Sequence, residues 1–178
     1  IWYENATWNV SGSAINVIGK DIKVDNLTAV CADQSVQVDG GYSSTTKDTL
    51  SVNLVKFDLG ILNKFFGENF EISGLATGHA IISSPWKSNA GLMMRLTSDS
   101  TQVAGHRMGT LRLASSLDDN KMRVIARNDI NGITTLGVSG DYFLDRHTID
   151  ATADFNGMDV GYIAPVLECV FSEMGGAM

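Results

Sequence analysis

Apolar and polar residues alternate along most of this chain with a period of two, the mark of strands that bury one face. In "SVQVDGGY" Val36, Val38 and Tyr42 fall on one side, and in "TLSVNL" Leu50, Val52 and Leu54 do the same. "GTLRLASSL" aligns Leu111, Leu113 and Leu117, "KMRVIAR" aligns Met122, Val124 and Ala126, and "TIDATADF" aligns Ile149, Ala151, Ala153 and Phe155. Turn-forming clusters separate these runs: "STTKD" at 44–48, "DDNK" at 118–121, "NDING" at 128–132 and "LDRH" at 144–147. Hairpin-length spacing of this kind predicts a largely antiparallel meander.

Two segments break the alternation. Leu59, Leu62, Phe65 and Phe66 stand at helical spacing, as do Ile163, Val166, Leu167 and Val170, which predicts short helices over about 59–66 and 160–171. Asp58 and Asp159 precede them and suit the first turn, where a carboxylate accepts from orphan backbone N–H groups. Pro165 falls past the first helical position, so the second helix starts later than its apolar spacing alone implies.

The two halves of the chain then fall into register. Val38, Gly40 and Tyr42 match Val138, Gly140 and Tyr142 at an offset of 100, and Thr49 and Leu50 match Thr148 and Ile149 at 99. Phe57 to Gly60 match Met158 to Gly161 at 101, as do Phe70 and Phe171, Gly74 and Gly175, and Ala76 and Ala177. The slips sit where turns tolerate insertion. The fold class expected is therefore all-β: a curled, mostly antiparallel sheet, open as a groove or closed like a sandwich, with two short helices and repeats of ~100 residues. Residues 1–78 form the first module and 79–178 the second, packed as one continuous domain.

Composition narrows the functional classes. The 178 residues are 44% hydrophobic and 19% charged, with a net charge of -7 and no run of more than two Lys or Arg. Phosphate backbones and anionic headgroups are held by concentrated positive charge, so neither nucleic acid nor electrostatic membrane attachment is expected. No apolar run reaches the ~20 residues that span a bilayer. The opening at Ile1 and the closing "GGAM" read as a piece of a longer protein.

Candidate chemistry is sparse. His79, His106 and His147 stand apart, without the spacing of metal ligands, and no cofactor is expected. Asp118 and Asp119 read as a turn rather than an acid–base pair. "GLATG" leads into a strand, unlike a phosphate-binding loop. Cys31 and Cys169 read as separate small buried residues, and Trp2, Trp8 and Trp86 as packing residues. No catalytic or metal residue is assigned, and the protein is expected not to be an enzyme.

What remains is the apolar face. Two short helices are too small to cover it, so either the sheet closes on itself or the face binds something apolar. The residues expected to line it are Val36, Val38, Leu50, Val52, Leu54, Leu111, Leu113, Met122, Val124, Val138, Ile149 and Ala151. The competing expectation is a sealed repeat module of a surface adhesin or glycan-binding protein, with Trp86 stacked on sugar.

Several strings resemble the TamB family of the AsmA-like group, the translocation and assembly module proteins. They are "IKVDNL", "VDGGY", "FDLGIL" and above all "SGLATG", with "GVSGDY", "MDVGYIAPVL" and "MGGAM" in the second half. Order and spacing, more than any single string, carry the resemblance across nearly the whole chain. It implies a segment of a periplasm-spanning protein anchored in the inner membrane of a Gram-negative-type envelope. Its partners would be phospholipid acyl chains carried in a hydrophobic β-groove and, through the parent protein, an outer-membrane β-barrel. The family offers no catalytic residues.

Overall fold

A computed structural model describes residues 2–3, 6–12, 14–19, 21–43, 49–63, 71–83, 91–103, 105–118 and 120–157. The second expected helix, over 160–171, lies outside them, as do Trp86 and Cys169.

Alternation becomes strand wherever it occurs. A two-stranded ribbon, β1 (Trp2–Tyr3) and β2 (Ala6–Thr7), precedes a single open sheet of twelve strands. These are β3 (Asn9–Ser11), β4 (Ala14–Ile18), β5 (Asp21–Cys31), β6 (Gln34–Tyr42), β7 (Thr49–Asp58), β8 (Ile72–Ser73), β9 (Leu75–Ser83), β10 (Gly91–Val103), β11 (His106–Asp118), β12 (Lys121–Ile130), β13 (Ile133–Phe143) and β14 (Thr148–Phe155). Every pairing is antiparallel, and from β5 to β14 sheet order follows chain order apart from the short β8, which pairs with β10. Strands β3 and β4 share β5 as their neighbour, so the sheet ends in β14 on one side and β3–β4 on the other. Residues 78 and 79 lie together within β9, and the sheet passes from one half of the sequence to the other without a break.

Local chemistry sets the turns and irregularities. Asn131 and Gly132, both at positive φ (51° and 80°), make the two-residue turn that reverses the chain between Ile130 and Ile133. Bulges insert one residue in β5 and one in β7, with Asn26 and Lys56 left-handed. Each bulged N–H is satisfied across the seam: Asn26 donates to Asp39 Oδ1 (2.9 Å) and Lys56 to Thr77 Oγ1 (3.1 Å).

At the first expected helix the described residues form one 3-10 turn, Leu59–Leu62. Asp58 caps it as its position predicts, its Oδ1 accepting from the Gly60 N–H at 2.8 Å. The turn is fastened back onto the sheet. Leu59 N–H donates to Gly74 O (2.8 Å), while the Asn63 amide donates to Ile72 O (2.9 Å) and accepts from Ile72 N–H (2.8 Å).

Candidate functional site

Cross-strand register converts the alternation of single strands into continuous rows. One row runs through Ala29, Val36, Leu54, Gly78, Leu96, Leu113, Ala126, Val138 and Ala153, one residue from each of nine strands. Beside it run Leu27, Val38, Val52, Ala80, Met94, Ser115, Val124, Gly140 and Ala151. A third row holds Val24, Gly40, Leu50, Ile82, Leu92, Leu117, Met122, Tyr142 and Ile149. On the far flank of the first lies a fourth: Phe57, Ala76, Ser98, Leu111, Asn128, Leu136 and Phe155.

All twelve residues singled out from the sequence lie on this one face. Val36, Leu54, Leu113 and Val138 stand in the first row, and Val38, Val52, Val124 and Ala151 in the second. Leu50, Met122 and Ile149 stand in the third row and Leu111 in the fourth. The sequence reading left out the middle of the face, Gly78, Ala80 and Ile82 on β9 and Leu92, Met94 and Leu96 on β10. Their signal was present, since "GLMMRL" and "GHAIIS" alternate with the same period as their neighbours.

The face is unevenly covered. In the first three rows every described side chain is half-buried or exposed except Val24 and Ser115. Along the fourth row and just beyond it Ala76, Ser98, Asn128 and Leu136 are buried, together with Leu59, Ile72, Thr101, Val103 and Met108. The 3-10 turn and β8 lie at that end, where β8 pairs with β10 within the sheet. Among the described residues, Ser98 Oγ, Thr101 Oγ1, Ser115 Oγ and Asn128 Oδ1 are buried without a hydrogen-bond partner. The Asn128 amide donates from its other end to Thr135 Oγ1 at 2.9 Å.

Glycine marks a close approach on the same face. A Cβ at Gly78 would collide with the Arg95 carbonyl oxygen and stand 2.8 Å from Leu96 Cα, so only glycine lets β9 and β10 meet in this way.

The opposite face is mixed, with charged and polar residues standing among the exposed Ile81, Met93 and Ile125. One of its rows reads Thr28, Gln37, Asn53, His79, Arg95, Ala114, Ile125, Ser139 and Thr152. Arg123 grips Asp141 with two bonds (2.8 and 3.0 Å), and Lys121 adds a third contact at 3.6 Å. Arg123's hydrogen bonding holds the Asp141 carboxyl below its ordinary range. Asp129, hydrogen-bonded by Thr134 and paired with Arg112, is held low as well. Two shallow clefts of 360 and 340 Å³ open among charged residues, one beside Asp99, Arg107 and Asp129 and the other beside Arg123, Asp141 and Asp150. Among the described residues no three His, Cys, Asp or Glu gather as metal ligands, and Cys31 is a free, half-buried thiol. No described helix is long and apolar enough to cross a membrane.

Comparison of the chain with protein-family models, with curated proteins and with solved structures gives no match.

Proposed function

We propose that this chain is a non-enzymatic module of a TamB-type, AsmA-like envelope protein whose apolar sheet face carries phospholipid acyl chains. The observation that carries the reading is the run of three parallel, uncharged and mainly apolar rows that cross nine strands and stay only half-buried over most of their length. An apolar surface on this scale is abnormal unless something occupies it. A hydrocarbon chain needs no charged recognition, and each CH₂ group it buries contributes about 0.8 kcal/mol. The absence of charge from all three rows fits such an occupant and gives a polar sugar nothing to bind.

The modular reading draws on a pair of glycines. A Cβ at Gly40 would collide with the Thr49 carbonyl, and one at Gly140 would stand 3.1 Å from the Asp150 carbonyl. Gly40 lies opposite Leu50 and Gly140 opposite Ala151. Matched by register, β7 and β14 are offset by 151 − 50 = 101, the same offset that relates Phe57 to Met158. In the parent protein such modules would line a path across the periplasm between an inner-membrane anchor and an outer-membrane barrel partner.

Photocrosslinking amino acids at Val52 and Val124, on the apolar face, test the reading against Asn53 and Arg123 on the polar face. In cells or with phospholipid vesicles, the first pair captures acyl chains and the second does not. Equal capture at all four positions would refute the groove.

A further inference from the structure

Sheet edges in natural proteins are guarded by lysine, proline, bulges or a covering segment, because unpaired N–H and C=O groups recruit further strands. Among the described residues neither edge carries a lysine, a proline or a covering segment. Strand β14, "TIDATADF", and strands β3 and β4, "NVS" and "AINVI", contain no Lys or Pro, and all their residues are exposed. Among the described residues nothing pairs with their outer sides. Apolar side chains stand open on both edges, with Val10 at 44%, Ile15 at 56% and Ile149 at 52% exposure.

The two edges also match each other. Nine sheet positions separate β5 from β14 inclusively, all antiparallel, so β14 runs in the direction of β5. A β3–β4 edge from another copy would therefore meet β14 antiparallel, as it meets β5. Val10 pairs with Ala29 in the first apolar row, and Ile15 with Val24 in the third. Ala153 and Ile149 occupy those same rows on β14. Setting Ala153 beside Val10 brings Ile149 beside Ile15 with one extra residue on β3–β4, the same excess that β5 already absorbs against β6.

Charge selects this pairing over self-pairing of β14. Asp150 and Asp154 point to the polar side of β14, where β3–β4 presents Asn9, Ser11 and Asn16. Two β14 strands would crowd four aspartates along one seam, and like charges across strands are destabilising.

We propose that copies of this module stack edge to edge, β14 of one copy pairing with β3–β4 of the next, so that the apolar face runs on across the junction. The contact is heterologous, so it extends to further copies, as a filament or a ring, rather than closing as a dimer. It goes beyond the lipid reading and stands whether or not the face takes an acyl chain.

Sedimentation in the absence of lipid tests it. The wild-type chain should gain weight-average mass with concentration. Ala151→Pro blocks one edge and Ile15→Pro the other, so each alone stays a monomer. Mixed in equal amounts, they form a complex of twice the monomer mass that grows no further. Ala151→Lys and Ile15→Lys keep the backbone amides and repeat the experiment should either proline variant lose its β-sheet circular dichroism. A wild-type chain that stays monomeric up to its solubility limit overturns the proposal. So does a folded single-edge variant that self-associates like the wild type, because the edges would then pair with themselves.

Discussion

At one end of the apolar face Ala76, Met108 and Asn128 are 2%, 4% and 0% exposed, while in the adjoining row Leu54, Leu96, Leu113 and Val138 stay half-exposed. Composition does not separate the two regions, since the open rows are the more apolar and the covered end holds Ser98, Thr101 and Asn128. The buried cluster lies along one end of the strands, at the end where Asp58 caps a 3-10 turn, Asn63 clamps it to Ile72 and β8 joins β10. Toward the other end the same strands keep their apolar side chains only half-buried.

The comparison can be broken by mutation. Met108→Ala, under the covered end, should cost about 2–5 kcal/mol, because a buried cavity adds to the lost transfer energy. Urea denaturation measures it. Gly78→Val comes next, at about 1–3 kcal/mol, since β9 must move off Arg95 to admit the side chain. Leu113→Ala in the open row should cost only about 1 kcal/mol, because a half-exposed leucine gains a fraction of its full burial energy. If Leu113→Ala proves as costly as Met108→Ala, the rows are sealed and the contrast fails.

The smallest effect belongs to the polar face. Arg123 keeps the Asp141 carboxyl below its ordinary range, so their pairing is fully present at neutral pH and is lost as pH falls through the lowered, folded value. Arg123→Gln should therefore lower stability slightly at pH 7 and by less in strong acid, where the carboxyl takes up its proton. An equal loss at both pH values would mean that packing of the arginine stem, not the ion pair, matters there.

Much of this was legible in the residues themselves. Strict alternation fixes which side chains share a face, so "SVQVDGGY" and "KMRVIAR" were enough to put Val36 and Val124 on the same side of the sheet. Asp58 was legible as a cap because a carboxylate before an apolar turn has one obvious set of donors. Register was harder. Residue identity aligns Thr49 with Thr148, but hairpin pairing sets Leu50 against Gly40 and Ala151 against Gly140, and a threonine near a turn carries no information about which residue lies across the ladder. The covered end was not legible at all. There Asn63 reaches Ile72 nine residues on, a tertiary bond that no periodicity encodes.

The most direct test of the open, acyl-binding face compares labelling at two positions in a background of Cys31→Ser and Cys169→Ser. Val124→Cys should react rapidly with an apolar maleimide and become protected when phospholipid is added, whereas Met108→Cys should react slowly in both conditions. A Val124→Cys thiol as slow as Met108→Cys would mean a sealed core, and fast labelling that phospholipid leaves unchanged would mean an open face that carries no lipid.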